Sequence, residues 1–219
     1  MIKFTSPKVI LAICSTLLIS GCGVLAPIST PETKQYQILP PNLQTQKDQG
    51  DQREAISQPD KSYNLTLFVT PLTAAEPYNS TVMYYRENTS YQLLSYSENS
   101  WAVPPQQMLS RNTLQALLQF HNFKNVVSSN FIGYADYRLT GNLNQLTQLI
   151  QNGNSSVILS VTYTLTNANS GKVVAIQTFD LTEKSDANAK GFAIATNKLS
   201  QTLTRDINSW LVSQKFNSN

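Results

Sequence analysis

Cysteine is nearly absent from this 219-residue chain, occurring only as Cys14 and Cys22, and histidine occurs once, as His121. Metal sites gather several thiol, imidazole or carboxylate ligands, and thiol catalysis needs a nearby base. So few of these groups exclude a Cys/His metal centre. Glycine is sparse at 8 residues, and no phosphate-cradling glycine loop, G-x-S-x-G turn or zincin pattern occurs. Charge is also scarce: 13% of residues are charged, against about 25% in an average domain. No block of Lys and Arg is present, which excludes the basic footprint of a nucleic-acid-binding protein and a polybasic membrane surface. His121 falls at a predicted helix end, where imidazole commonly meets the helix terminus. No catalytic, cofactor-binding or metal residue emerges, and the chain reads as a non-enzyme. A carboxylate pair or Ser–Lys pair assembled only by the fold stays open.

What is present begins at the amino terminus. Lys3 and Lys8 precede an almost wholly apolar run from Val9 to Leu18, followed by Ile19-Ser20-Gly21-Cys22. A basic start, about ten apolar residues and a small-residue exit describe a secretory signal. A spanning helix needs roughly 20 apolar residues. The exit resembles the bacterial lipobox. That resemblance implies cleavage between Gly21 and Cys22, a diacylglyceryl group on the Cys22 thiol and acylation of the new amine. Acyl burial yields about 0.8 kcal/mol per CH2, and one myristoyl chain holds only marginally, so three chains anchor durably. Gly23 follows the cysteine, where an Asp would favour retention at the inner membrane, so the expected location is the outer membrane. Signal removal takes Cys14, Lys3 and Lys8 with it, leaving 14 basic against 13 acidic residues and no free thiol beside the lipidated one.

Three segments are expected: a signal over 1–21, a lipidated tether over 22–61 and a folded domain over 62–219. Residues 23–35 are small and polar, with Pro27 and Pro31, and Tyr36-Gln37-Ile38-Leu39 forms a brief alternating island. Residues 40–61 carry Pro40, Pro41 and Pro59 and little apolar surface, a composition unable to order itself alone. As a flexible chain they would span about 25 Å root mean square and let the domain stand off from the bilayer.

In the domain, Tyr63, Leu65, Leu67 and Val69 alternate as on a half-buried strand. Strands over Thr81–Arg86 and Tyr91–Ser97 read as a hairpin. Pro104-Pro105 opens a helix over about 105–121, with Met108, Leu109, Leu114, Leu117 and Leu118 on one side and Asn122 as a stop. Val126-Val127 suggests a short strand. Tyr137, Leu139, Gly141 and Leu143 share a strand face. Val157 to Leu165 alternates without a break, and turns at Asn169-Ser170-Gly171 into a return strand facing inward with Val173, Ala175, Gln177, Phe179 and Leu181. A closing helix over about 187–214, capped by Ser185 or Asp186, carries Phe192, Ala195, Leu199, Leu203, Ile207, Trp210 and Leu211. Trp101 is assigned to the core, Trp210 to the margin of the last helix, and Tyr84 and Tyr85 to opposite sides of their strand, one in the core and one exposed. The sum is an α/β sandwich: a mixed, mostly antiparallel sheet flanked by two long helices.

The order of these pieces is similar to a known family. Leu65-Thr66-Leu67-Phe68-Val69, a proline-bearing loop, Val82-Met83-Tyr84-Tyr85-Arg86, Trp101-Ala102-Val103-Pro104-Pro105 and the helix with Leu114 and Leu117-Leu118 resemble the ABC-type transport auxiliary lipoproteins, which include the paraquat-inducible lipoprotein C. Tyr137 to Gly141 and Ser170 to Val174 fit the same pattern, while the long stretch 40–61 departs from it. The resemblance implies a fold like the amino-terminal domain of the translocation protein B. It also implies a non-catalytic role beside MCE-domain proteins and ABC transporter or permease components, moving lipids or hydrophobic solutes between the envelope membranes. It supplies no catalytic residue; only Cys22 carries over. A homo-oligomer would suit an oligomeric MCE partner. Two other readings stay open: a periplasmic binding module for a small hydrophobic ligand, and a structural envelope-assembly lipoprotein. A transport component of this kind should expose an uncovered sheet edge or an apolar patch.

Overall fold

One long strand organises the molecule. The computed structural model describes residues 32–41, 62–88, 90–130 and 133–216. Its elements in chain order are β1 (Lys34–Tyr36), β2 (Tyr63–Val69), β3 (Thr73–Ala74), β4 (Val82–Glu87), β5 (Leu94–Trp101), α1 (Pro105–Phe120), β6 (Phe123–Val127), β7 (Tyr137–Gln151), β8 (Asn154–Asn167), β9 (Val173–Lys184) and α2 (Ala189–Val212). Strand β7 pairs antiparallel with β8 along its whole length, from Tyr137 opposite Asn167 to Gln151 opposite Asn154. Its other edge takes three strands in succession, all parallel: β2 near Leu139, β3 near Leu143 and β4 near Leu149. β6 extends the sheet beyond β2, β5 and β1 extend it beyond β4, and β9 closes the far side beyond β8. The sheet is mixed, with the long antiparallel β7–β8–β9 meander as its dominant part.

The β7–β8 turn is Asn152-Gly153, with φ of 48° and 80°. A two-residue hairpin with both φ positive favours Asn-Gly, which is what stands there. Two bulges adjust the meander. Asn144 is the extra residue between the Leu143–Val161 and Gln145–Ser160 pairs. It returns Leu146 to the inward face after Leu143. Val174 is the second, between Ala175 opposite Leu165 and Val173 opposite Thr166. A bulge shifts the face of every residue beyond it. Val173, expected inward, is therefore 57% exposed.

Both helices lie on the inward face of the meander. The Tyr163 hydroxyl of β8 is 2.9 Å from Thr113 Oγ1 of α1, and Phe179 of β9 meets Trp210 of α2 edge-on at 6.1 Å. The core between the layers holds Leu139, Leu143 and Leu146 of β7, and Val157, Leu159, Val161 and Leu165 of β8. Met108, Leu109 and Leu117 of α1 and Phe192, Leu199, Leu203, Ile207 and Leu211 of α2 complete it. Trp101 is buried against Phe192 at 5.3 Å, as expected. Gly141 is needed in this packing. A Cβ there would run into Leu72 Cδ2 and come within 2.9 Å of the Tyr163 ring. The outward face is polar, and its hydroxyls and amides bond to one another: Asn144 Nδ2 donates to Thr162 Oγ1 at 2.8 Å, and Thr162 Oγ1 lies 2.8 Å from Thr178 Oγ1. Among the described residues, no helix is long and apolar enough to cross a membrane.

Several expectations shift. The second arm of the first hairpin runs from Leu94 to Trp101, not from Tyr91 to Ser97, and Tyr91 is fully exposed. Tyr84 and Tyr85 are both half-buried, because each meets another tyrosine: Tyr84 packs on Tyr78, and Tyr85 on Tyr96. On α1, Leu118 faces outward at 45% exposure, while Asn112 and Thr113 take places on the buried stripe. α2 starts later than expected. Its cap is Asn188, whose Oδ1 accepts the Gly191 N–H at 2.8 Å, not Ser185 or Asp186. Phe216, beyond the end of α2, joins Tyr63, Phe123 and Tyr137 in an aromatic cluster and ties the carboxy-terminal segment to β2, β6 and β7.

The largest correction concerns the expected 22–61 tether. The folded unit begins at Thr33. β1 pairs in parallel with the end of β5, Tyr36 opposite Trp101, and Ile38 is fully buried. Residues 34–41 therefore belong to the domain. Residues 22–31 and the polar stretch 42–61 lie outside the described residues.

Candidate functional site

Three features of the surface and its supports are candidates for function: the docked strap 34–41, a polar knot around Gln148, and the outer edge of β9.

The strap crosses the seam between α1 and α2. Ile38 inserts its side chain into the core, and its N–H meets Met108 Sδ at 3.2 Å. The flanking peptide groups are held by two asparagines. Asn197 of α2 accepts the Leu39 N–H on Oδ1 at 2.8 Å and donates from Nδ2 to the Gln37 carbonyl at 2.9 Å. Asn112 of α1 donates to the Leu39 carbonyl at 2.8 Å and to Ser200 Oγ at 3.0 Å. A short strap inside a domain needs partners for its own peptide groups. Side-chain amides supply them here, because each offers both a donor and an acceptor. Asn112 is fully buried, and its Oδ1 has no partner. The sequence carried a signal for this site. Asn112 sits among Met108, Leu109 and Ala116 on the apolar stripe of α1, and a buried polar residue needs a specific partner.

The second feature joins β5, β7, β8 and the approach to α2. Tyr96 donates to Gln148 Oε1 at 2.6 Å. Gln148 Nε2 donates to the Asp186 carbonyl at 2.7 Å and to Ser155 Oγ at 2.8 Å. Gln148 is fully buried. Burial, followed by the proximity of Tyr85 and Glu87, pushes the Tyr96 hydroxyl up to about 12. Burial also raises Tyr163, partly opposed by its bond to Thr113. Asp206 is raised by burial and partly restored by Arg205. Tyr96 and Tyr163 brace the fold, each spending its hydroxyl on an internal bond. Gly191 serves the same junction, since a Cβ there would meet the Asp186 main chain.

The third feature is exposed. β9 pairs with β8, and among the described residues no strand lies on its other side. Val174 and Ile176, exposed at 38% and 60%, stand near its start beside Val173. An open strand edge offers a row of unpaired peptide groups on which another chain can build. Lys198 of α2 reaches back to Glu183 at 2.9 Å near the other end of β9.

The residues singled out from sequence are placed as follows. Gly21 and Cys22 lie outside the described residues. His121 is exposed and closes α1 with a left-handed φ of 54°. Among the described residues, no group of three or more His, Cys, Asp or Glu is gathered to hold a metal ion.

Comparison with known proteins agrees with this architecture. The crystal structure of a Xanthomonas campestris protein of the DUF330 family matches with a TM-score of 0.63 at 17% identity, covering 83% of this chain and 94% of that one. A second crystal structure, of an uncharacterized protein, matches with a TM-score of 0.57 at 16% identity, covering 82% of this chain and 99% of that one. These likenesses speak to the fold. No curated protein sequence matches. The family model for the ABC-type transport auxiliary lipoprotein component matches residues 49–208, from ahead of β2 to near the end of α2. This chain belongs to the ABC-type transport auxiliary lipoprotein family.

Proposed function

We propose that this chain is the non-catalytic, lipid-anchored auxiliary component of an MCE-type ABC transport system that moves lipids or hydrophobic solutes between the inner and outer membranes. Cys22 carries the lipid, the outer membrane holds it, and the domain faces the periplasm. Membership of the transport auxiliary family carries the reading. The open β9 edge, with Val174 and Ile176 exposed beside it, supports a protein that works by binding a partner.

Affinity purification of the tagged full chain from detergent-solubilised envelope tests the proposal. An MCE-domain protein should co-purify, and the amino terminus should be a tri-acylated Cys22 by mass spectrometry. A partner-free preparation that turns over an envelope substrate would overturn it.

A further inference from the structure

We propose that the docked strap sets the reach of the lipid anchor, so that the domain is held close to the membrane carrying Cys22. The inference rests on the reading of Cys22 as the anchored residue. In a lipoprotein, the distance between bilayer and domain is limited by the chain between the lipidated cysteine and the first residue fixed to the fold. Among the described residues, the first paired with the fold is Lys34, where β1 begins to pair with β5. The fully extended chain from Cys22 to Lys34 reaches about 40 Å, at roughly 3.3–3.6 Å per residue. Had the domain begun at Ser62, the same arithmetic would allow about 130–140 Å.

The clamp on residues 37–39 makes this difference real. Ile38 is fully buried, Asn197 binds the main chain on both sides of it, and Asn112 binds it from the other helix. Pro41 is also buried. The polar segment 42–61 thus leaves the domain at Pro41 and returns to it at Ser62. It lies off the path from anchor to domain, and its length does not add to the anchor's reach.

Neutron reflectometry on a supported phosphatidylcholine bilayer with a maleimide lipid tests this. The chain from residue 22 onward couples through Cys22, its one thiol. Duplicating the 42–61 segment in place should leave the domain's density profile where it is in the native chain. Inserting the same segment after Gly23 should move the profile outward and broaden it. The double variant Ile38→Asp with Asn197→Ala should also move it outward. A duplication that shifts the profile as far as the insertion after Gly23 does would overturn the proposal. If the double variant unfolds, the duplication and insertion pair still decides. Chemical coupling bypasses cellular lipidation. An unmodified Cys22 in cells would refute the anchor reading separately, leaving the measured geometry as the test of the strap.

Discussion

Leu39 and Asn197 stand 158 residues apart in sequence, yet the Leu39 N–H donates to Asn197 Oδ1 at 2.8 Å. Together with the buried Ile38, this contact makes a short stretch near the amino terminus a structural member of the domain. Truncating a buried Ile to Ala typically costs 2–5 kcal/mol. Ile38→Ala should therefore lower the denaturation midpoint clearly and expose the Lys34 peptide bond to trypsin. A change under about 0.5 kcal/mol, the usual size at a surface site, would show that the strap is peripheral.

Leu203 is 1% exposed in the middle of the buried face of α2. Leu203→Ala should cost about 2–5 kcal/mol. For a domain of this size each kcal/mol lowers Tm by roughly 2–4 °C. Calorimetry should therefore show a drop of several degrees, and an unchanged Tm would place α2 outside the cooperative core.

Tyr96 has a raised proton affinity in the folded state, near 12 against an ordinary value of about 10. A group raised in this way contributes stability that is fully present below about pH 10 and is lost as the pH rises through about 12. The folded domain should therefore weaken over that window, and phenolate absorbance should show a late step from Tyr96. Tyr96→Phe should remove one late-titrating phenol and leave that of the buried Tyr163. It also leaves the buried Gln148 Oε1 without its donor, at a cost of about 1–3 kcal/mol. If the variant shows as many late-titrating phenols as the native chain, the assignment to Tyr96 is wrong.

Gly141→Ala places a methyl group against Leu72 and the Tyr163 ring. Overpacking of this kind typically costs 1–3 kcal/mol. The variant should be destabilised in urea with an unchanged m-value. Equal or greater stability would mean that Leu72 yields without strain.

The parts of the fold that sequence reasoning reaches are those whose signal is local. Val157 to Leu165 alternates so regularly that β8 is legible residue by residue, and all five of its inward residues are buried. α2 is equally legible from Phe192 to Leu211. Bulges are not legible, because the extra residue is defined by the partner strand. Nothing in Val173-Val174-Ala175 reveals that Val174 is skipped in pairing with β8. β1 fails for a related reason. Three residues carry too short a pattern, and their partner on β5 lies some 65 residues away. The polar supports are intermediate. Asn112 on an apolar stripe and Gln148 within a long strand both mark buried polar groups, but their partners at Leu39, Tyr96 and Asp186 emerge only in three dimensions. The proposed anchor motif at Cys22 rests on sequence alone, because it lies outside the described residues.

Site-specific photocrosslinking in intact cells tests the central claim, that the domain works by binding an MCE-family partner. Photoreactive residues should be scanned over the described surface, beginning with Val174 and Ile176 at the open edge of β9. The account predicts capture of an MCE-domain protein at Ile176, with little capture at the fully exposed Tyr91 between β4 and β5. Failure of every surface position to capture an MCE-domain protein would contradict it.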